Sequence, residues 1–283
     1  MPEAPRHFRL GLLGAGAAAR GVLPALLETG MVSVSFVADP AHAGERLAGQ
    51  TVLEDAPSTL TADFYIMAVR EPELPGLAQN LARLLKEDQR EGCVALQLSA
   101  SSPLEALEPL LACGVRAGLL HPLQTFPADT PPPEQIPFWA LGGHEDLRTL
   151  LAPLMGRLAD EWIWLHPEDQ LPYHLSAVMA SNFLPAMLSI CGRLWPGDAE
   201  QARRALRPIL QQTLHNLELA PPELAASGPA ARGDVATLGQ HRVWLEARHP
   251  DLAPVYERLS GEITWLRTRR EEALRLPAQE GEA

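Results

Sequence analysis

The sequence predicts an α/β protein, a doubly wound parallel sheet followed by an all-helical domain, on three observations. Short apolar runs alternate with helical spacing from Phe8 to Leu165. The first run stops at Gly14-Ala15-Gly16 and resumes as an Ala-rich helix. Beyond Pro172 no strand pattern returns. The expected domains are 1–166 for the sheet and 167–283 for the helices. With 283 residues, 46% of them hydrophobic, the chain can bury substantial cores.

Phe8, Leu10, Leu12 and Leu13 read as a buried strand, and a helix over about Ala17 to Thr29 follows the glycine turn. Gly14 permits the turn, and Gly16 leaves main chain bare for a pyrophosphate. Ala19, in place of a third glycine, keeps helix and strand close. The helix N-terminus favours phosphate charge. Val32 to Ala38 is a second strand ending at Asp39-Pro40, where a carboxylate usually holds a ribose 2′-hydroxyl. Asp39 leans toward NAD over NADP, with a turn-starting Asp as the plainer account.

Phe64 to Val69 is the next strand, followed by Arg70-Glu71-Pro72 and a helix from about Glu73 to Leu85. Cys93 to Leu98 is another, ended by Ser99 to Pro103 as a helix cap before a helix through Leu104 to Leu111. Val115 to Leu120 then leads into His121-Pro122-Leu123-Gln124-Thr125-Phe126. Asp39, Arg70, Ser99 and His121 thus fall at carboxyl ends of strands, where open α/β sheets bind ligands. Pro127 to Pro137 holds five prolines and reads as irregular surface chain. A strand (Phe138 to Leu141), a helix (about Glu145 to Leu158) and a strand (Trp162 to Leu165) close the sheet domain. Helical spacing covers Tyr173 to Leu194, Ala199 to Leu217, Val235 to Glu246 and Leu252 to Arg270, and the tail LPAQEGEA reads as disordered.

Composition removes several function classes. A formal net charge of −12 argues against nucleic acid and anionic membranes as partners. Lys86 is the only lysine and sits at a charged helix end, so Schiff-base chemistry has no candidate. By eye no apolar run approaches the roughly 18 to 20 residues of a membrane span, and MPEAPRHF lacks a signal pattern; the expected location is the cytoplasm. Cys93, Cys113 and Cys191 are far apart without a CxxC spacing, which suggests buried thiols rather than disulfides or zinc.

Three later segments carry candidate chemistry. In the Tyr173–Phe183 segment, His174, Ser181 and Asn182 share a helical face, either as a structural polar network or facing the nicotinamide end of a cleft. In Gly228 to Thr237, Asp234 can cap the helix from Val235, while Arg232 can clamp a substrate carboxylate. His121 is the proton-transfer candidate, since imidazole titrates near neutral pH; its structural alternative is a turn residue bonded to backbone. A metal site from His121, His174, His241 and Asp234 is a weak alternative, because no helix carries a ligand pair at metal spacing; no metal is expected.

HPLQTF at 121–126, YHLSAVMASNF at 173–183 and GPAARGDVATLGQH at 228–241, after an N-terminal GxGxxA, together resemble a known family. These are Rossmann-like proteins with a C-terminal helical domain of unknown function, assigned as NADP-dependent oxidoreductases. They are distantly similar to pyrroline-5-carboxylate reductase and ketopantoate reductase. The resemblance implies a nucleotide-binding domain, an interdomain cofactor cleft and a homodimer built through the helical half. Members often carry His-x-Ser-Gly after the fifth strand, where this chain has Gln97-Leu98-Ser99-Ala100, so only Ser99 carries over. Their Pro-Asp pair after the fourth strand is replaced by Arg70-Glu71-Pro72.

The resulting expectation is an oxidoreductase passing hydride between NAD or NADP and a small carbonyl, imine or hydroxy compound. Gly14, Gly16, Ala19, Asp39, Ala68, Arg70 and Ser99 are the expected cofactor contacts. His121, His174 and Asn182 are the expected catalytic groups, and Arg232 and Ser181 the substrate contacts. Two alternatives stay open: a dinucleotide-binding regulatory or scaffold protein without turnover, and a prephenate-type dehydrogenase, which also places a His-Pro pair late in its Rossmann domain.

Overall fold

The structure is a computed structural model describing residues 6–275; the LPAQEGEA tail lies outside the described residues. The chain forms two compact units that meet in sequence between Ala186 and Met187.

In the first unit, β1 (Phe8–Leu13), α1 (Ala17–Glu28) and β2 (Val32–Ala38) follow the expected pattern. The chain then makes a 3₁₀ turn at Pro40–His42 and a small hairpin of β3 (Arg46–Leu47) and β4 (Gln50–Thr51). Next come β5 (Phe64–Met67), α2 (Leu74–Leu84), α3 (Glu87–Arg90), β6 (Val94–Gln97) and α4 (Glu108–Leu111). The unit continues through β7 (Arg116–Pro122), β8 (Phe138–Gly143), α5 (Asp146–Leu158), β9 (Glu161–Trp164) and α6 (Pro167–Ser181).

Seven strands form one sheet in the order β2-β1-β5-β6-β7-β8-β9. Its central strands are near-continuous apolar runs because both faces are covered. On one face Val22, Leu23 and Leu26 of α1 and Leu151, Leu154 and Met155 of α5 pack over Leu10, Leu12, Ile66 and Leu96. On the other, Leu74, Ala78 and Leu81 of α2 and Leu110 of α4 pack over Leu13, Tyr65, Met67 and Ala95. The doubly wound fold class holds, with one departure. β7 and β8 are antiparallel, Gly118 opposite Gly143 and Pro122 opposite Trp139. A parallel return needs a crossover to the far end of the sheet. The segment between these strands contains no helix and brings the chain back beside the end it has just left.

Two expectations about helix ends are corrected. Ser99 to Ser102 do not cap a helix: the segment after Pro103 starts as a 3₁₀ turn at Leu104–Leu107 with no side-chain cap. α6 begins at Pro167, six residues before the expected Tyr173, because Pro167 occupies the first turn and Glu168 and Asp169 favour the positive helix end.

α7 (Phe183–Leu194) follows α6 almost without a break. Together they give 28 residues of helix containing an 18-residue window of mean hydropathy 1.5, none of it buried. This run meets the length and composition of a membrane crossing, which corrects the expectation that no such run exists. Leu171, Met179 and Phe183 lie on it, each more than half exposed.

The second unit continues with α8 (Ala199–Leu219), α9 (Pro222–Ala225), α10 (Pro229–Arg232), α11 (Val235–Arg248) and α12 (Ala253–Arg275), with no strand among the described residues. Its small core joins Leu245, Leu252 and Ala253 to Ile190 and Tyr256.

Candidate functional site

Gly14 leaves β1 at φ +103°, a conformation L side chains rarely adopt, and its N–H donates to Ala38 O at 2.9 Å. A Cβ there would lie 2.3 Å from Ala68 O, so only glycine lets the turn press against the end of β5. Gly16 is different: it precedes α1 with an ordinary φ of −71°, and a Cβ would meet nothing within 4 Å. The space above it is open. The N–H groups of the first turn of α1 have no intrahelical partner, no side chain caps them, and no acidic residue sits among them. That is a cradle for an anion. Ala19 is fully buried where α1 meets the sheet.

Asp39 extends β2 toward this turn. Its Oδ2 accepts the Ala15 N–H at 2.7 Å and lies 2.9 Å from His42 Nδ1, while Oδ1 accepts the Ala41 N–H at 2.9 Å. Burial alone would raise its pKa, but the bonds from Ala15, His42 and Ala41 outweigh that and hold the carboxyl below its usual range. Gly14, Gly16, Asp39, Ala68 and Arg70 all line one cavity of about 840 Å³, which continues between the end of β2 and the α2 face bearing Leu77 and Asn80. Five of the seven expected cofactor contacts therefore share a cavity. Arg70 is exposed and bonds Glu73.

Ser99 does not line that cavity. Its hydroxyl bonds Glu71 at 3.3 Å and Ser101 at 2.9 Å, and Ser101 also bonds Glu71. The serines that looked like a helix cap instead tie the loop after β6 to the segment after β5.

His121 is the penultimate residue of β7, and its Nδ1 lies 2.9 Å from the Tyr173 hydroxyl of α6. The rings meet edge to face, with centroids 5.5 Å apart. His174 adds a second edge-to-face ring 6.5 Å from His121, and its Nδ1 is buried without a partner. Burial, with His174 alongside, pushes His121 down to about 4, and burial pushes Tyr173 up to about 12. The expectation that His121 titrates near neutrality is thereby corrected: both groups are uncharged at pH 7. With a neutral ring and an un-ionised phenol, His121 Nδ1 and the Tyr173 oxygen share one hydrogen bond whose direction follows the ring tautomer.

The same face of α6 carries Gln170, one turn before Tyr173 and His174. Its Nε2 donates to Ala100 O at 2.9 Å and Ser102 O at 2.6 Å, and Gln97 Nε2 donates to Ser102 O at 2.9 Å. Gln97 Oε1 and Ser102 Oγ remain buried and unpartnered. Sequence reasoning assigned no role to Tyr173, Gln170 or Gln97. The signal for the first two was the helical spacing of Gln170, Tyr173 and His174, hidden once Pro172 was read as a boundary. It also missed Gly21, buried on α1, where a Cβ would lie 2.4 Å from the Phe126 ring: the end of HPLQTF rests on the helix that carries the anion cradle.

The remaining candidates bond within their own segments. Ser181 Oγ bonds Ala177 O at 2.7 Å and Asn182 Oδ1 at 2.8 Å, so those two side chains engage each other and their own helix rather than His174. In the second unit Asp234 caps α11 as expected, accepting from Thr237 N at 3.0 Å and Thr237 Oγ1 at 2.7 Å. Arg232 ends α10 with its side chain exposed. His241 Nδ1 bonds the Tyr256 hydroxyl at 2.8 Å. Among the described residues no three His, Cys, Asp or Glu side chains cluster as a metal site. All three cysteines are free, and only Cys93 is fully buried, its thiol pushed up to about 12.

Residues 136–263 match the profile of a domain of unknown function, DUF2520. No curated protein sequence matches the chain. Among solved structures, a candidate NADP oxidoreductase from Bacteroides fragilis aligns with a TM-score of 0.68 at 21% identity, over 92% of this chain and 99% of that one. A pyrroline carboxylate reductase from Plasmodium falciparum with NADP bound aligns with a TM-score of 0.58 at 8% identity, over 93% and 99%. An imine reductase from Myxococcus stipitatus in complex with NADP⁺ aligns with a TM-score of 0.55 at 15% identity, over 90% and 92%. At these identities the likeness is one of fold. The chain thus has a Rossmann-like fold shared with these solved structures, and its residues 136–263 match a domain of unknown function.

Proposed function

We propose that this protein is an oxidoreductase that binds a nicotinamide dinucleotide at the Gly14–Gly16 turn and acts on a small carbonyl, imine or hydroxy compound. The observation that carries this reading is the open space above Gly16, where Gly16 at the uncapped N-terminus of α1 and the Asp39 carboxylate border one cavity. Diphosphate fits the N–H groups, and a ribose hydroxyl fits the carboxylate. The fold of reductases that hold NADP supports the reading. Gly14, Gly16, Asp39, Ala68 and Arg70 would hold the cofactor, with Ala19 packing α1 against the sheet beneath the turn. When bound, it supplies the hydride chemistry.

The chain's own part is position and proton handling. With Tyr173 O–H donating to Nδ1, His121 Nε2–H gives its proton to a substrate oxygen or nitrogen as negative charge develops there, Nδ1 takes the proton of Tyr173, and the phenolate left behind regains a proton from water. The ring stays neutral before and after, which suits a histidine held near pKa 4. His174 supplies a further polar atom beside this pair. Arg232, Ser181 and Asn182 stay as proposed substrate contacts, Arg232 for a carboxylate. We place the protein in the cytoplasm and propose a second copy of the chain as its partner. The exposed apolar side chains of α6 and α7, together with Ile209, Leu214 and Leu217 of α8, support that contact.

Calorimetric titration with NADH and NADPH, followed by a panel of carbonyl, imine and hydroxy substrates, tests the proposal. Binding with hydride exchange is the expected result. Binding without exchange across the panel favours the regulatory alternative. Absence of binding by either dinucleotide removes the reading.

A further inference from the structure

Resting on the reading that His121 and Tyr173 handle the proton, we infer that Gln170 is a positioning residue: its side-chain amide fastens α6 to the loop after β6 and so holds the Tyr173 hydroxyl against His121. Of the fifteen residues of α6, Gln170 alone is fully buried. Leu171, Leu175 and Met179 are more than half exposed, and Tyr173 and His174 are half-buried. The helix therefore has little buried apolar surface to fix its seat on the sheet, and hydrophobic contact is non-directional in any case. Hydrogen bonds are not, because they weaken steeply with distance and angle.

Gln170 Nε2 donates to Ala100 O at 2.9 Å and to Ser102 O at 2.6 Å, which engages both hydrogens of its amide. Those acceptors are themselves fixed. Gln97, buried at the end of β6, donates to Ser102 O at 2.9 Å, and the more exposed Ser99 and Ser101 bond Glu71. Ala100 packs with Leu119, Ala140 and Leu165, the cluster against which Tyr173 lies. Residues three and four positions beyond Gln170 share its helix face, so the two amide bonds set the height and rotation at which Tyr173 and His174 meet His121. Tyr173 reaches Nδ1 at 2.9 Å, and a displacement of about 0.6 Å takes that contact out of hydrogen-bond range. Neither Gln170 nor the loop residues it bonds line the cofactor cavity, so its influence falls on proton handling and not on dinucleotide affinity.

The test is NMR of the full chain with the ring nitrogens of His121 as reporter. Two variants are compared with the wild type: Gln170→Met, which keeps the length without a donor, and Gln170→Glu, isosteric and, when ionised, acceptor-only. In both, the His121 nitrogen shifts move, and its titration midpoint, about 4 in the wild type, rises toward about 6.5 as water reaches the ring. Turnover of a substrate found by the panel falls about tenfold or more, with the dinucleotide KM unchanged. In the wild type, the Gln170 side-chain amide hydrogens exchange with solvent at least about tenfold more slowly than those of an exposed glutamine, a measurement that stands even where a variant fails to fold. Wild-type His121 signals in either folded variant, or unprotected Gln170 hydrogens, overturn the inference and leave the His121–Tyr173 reading standing. Altered His121 signals with turnover intact in both variants and in Tyr173→Phe overturn the proton-handling reading, and with it the catalytic consequence of Gln170.

Discussion

The Tyr173 hydroxyl and His121 Nδ1, 52 residues apart in sequence, meet at 2.9 Å at the end of β7. If this pair handles the proton, Tyr173→Phe and His121→Ala each lower turnover by about 10²-fold. Dinucleotide affinity, measured by calorimetry, should stay within about twofold because neither residue lines the cofactor cavity. The rate should also show no ionisation of His121 between about pH 5 and 8. Unchanged turnover in both variants would remove the pair from the mechanism.

Acid stability reports on the same histidine. His121 is held near 4 in the folded protein, against about 6.5 when unfolded. Between those values the unfolded chain binds the proton and the folded one does not. Its contribution is therefore fully present above about pH 6.5 and is lost as pH falls through the window toward 4, to a total on the order of 3 kcal/mol. Urea denaturation at pH 7 and pH 4.5 should show this loss in the wild type and a smaller one in His121→Gln.

The two glycines of the turn should behave oppositely. Gly14→Ala forces a methyl onto Ala68 O at positive φ and costs roughly 2 to 4 kcal/mol of stability. Gly16→Ala meets open space, so its melting temperature stays near wild type while dinucleotide affinity drops by about tenfold or more. Unaltered affinity in a well-folded Gly16→Ala protein would mean that phosphate does not dock there.

Gly21 and Phe126 should be energetically coupled. Gly21→Ala drives a methyl into the ring and destabilises by about 1 to 3 kcal/mol. Adding Phe126→Ala relieves the clash, so the double variant should be more stable than the sum of the single changes implies, as a double-mutant cycle reads.

The exposed apolar surface predicts a dimer. Sedimentation at micromolar concentration should give twice the chain mass, and Met179→Asp with Phe183→Asp should shift it toward one chain. A monomeric wild type would end that proposal.

Most of the sheet was legible in the sequence because its strands are apolar on both faces and its crossovers carry helical spacing. β1, α1 and β2 were found to within a residue, since glycine marks one junction and Asp39-Pro40 the other. The stretch from Pro40 to Asp63 was not: β3 and β4 are two residues each, too short for any period. The residues lining the cavity at the glycine turn were visible because that turn is local. The Tyr173–His121 pair and the Gln170 bonds were not, because they join distant segments through the sheet. The depressed pKa of His121 comes from burial, which no spacing reveals.

The reversal at β7 has one more consequence. Because β8 enters the sheet beside the point where His121 leaves it, the chain from Leu123 to Pro137 lies at the His121 end of the sheet instead of the far rim. Five prolines in that stretch remove backbone donors and stiffen it, giving a wall that offers little hydrogen bonding of its own and holds its contour cheaply. If His121 acts as proposed, lengthening or shortening this wall leaves the strands intact while changing what can approach the imidazole, and so retunes substrate choice on an unchanged scaffold.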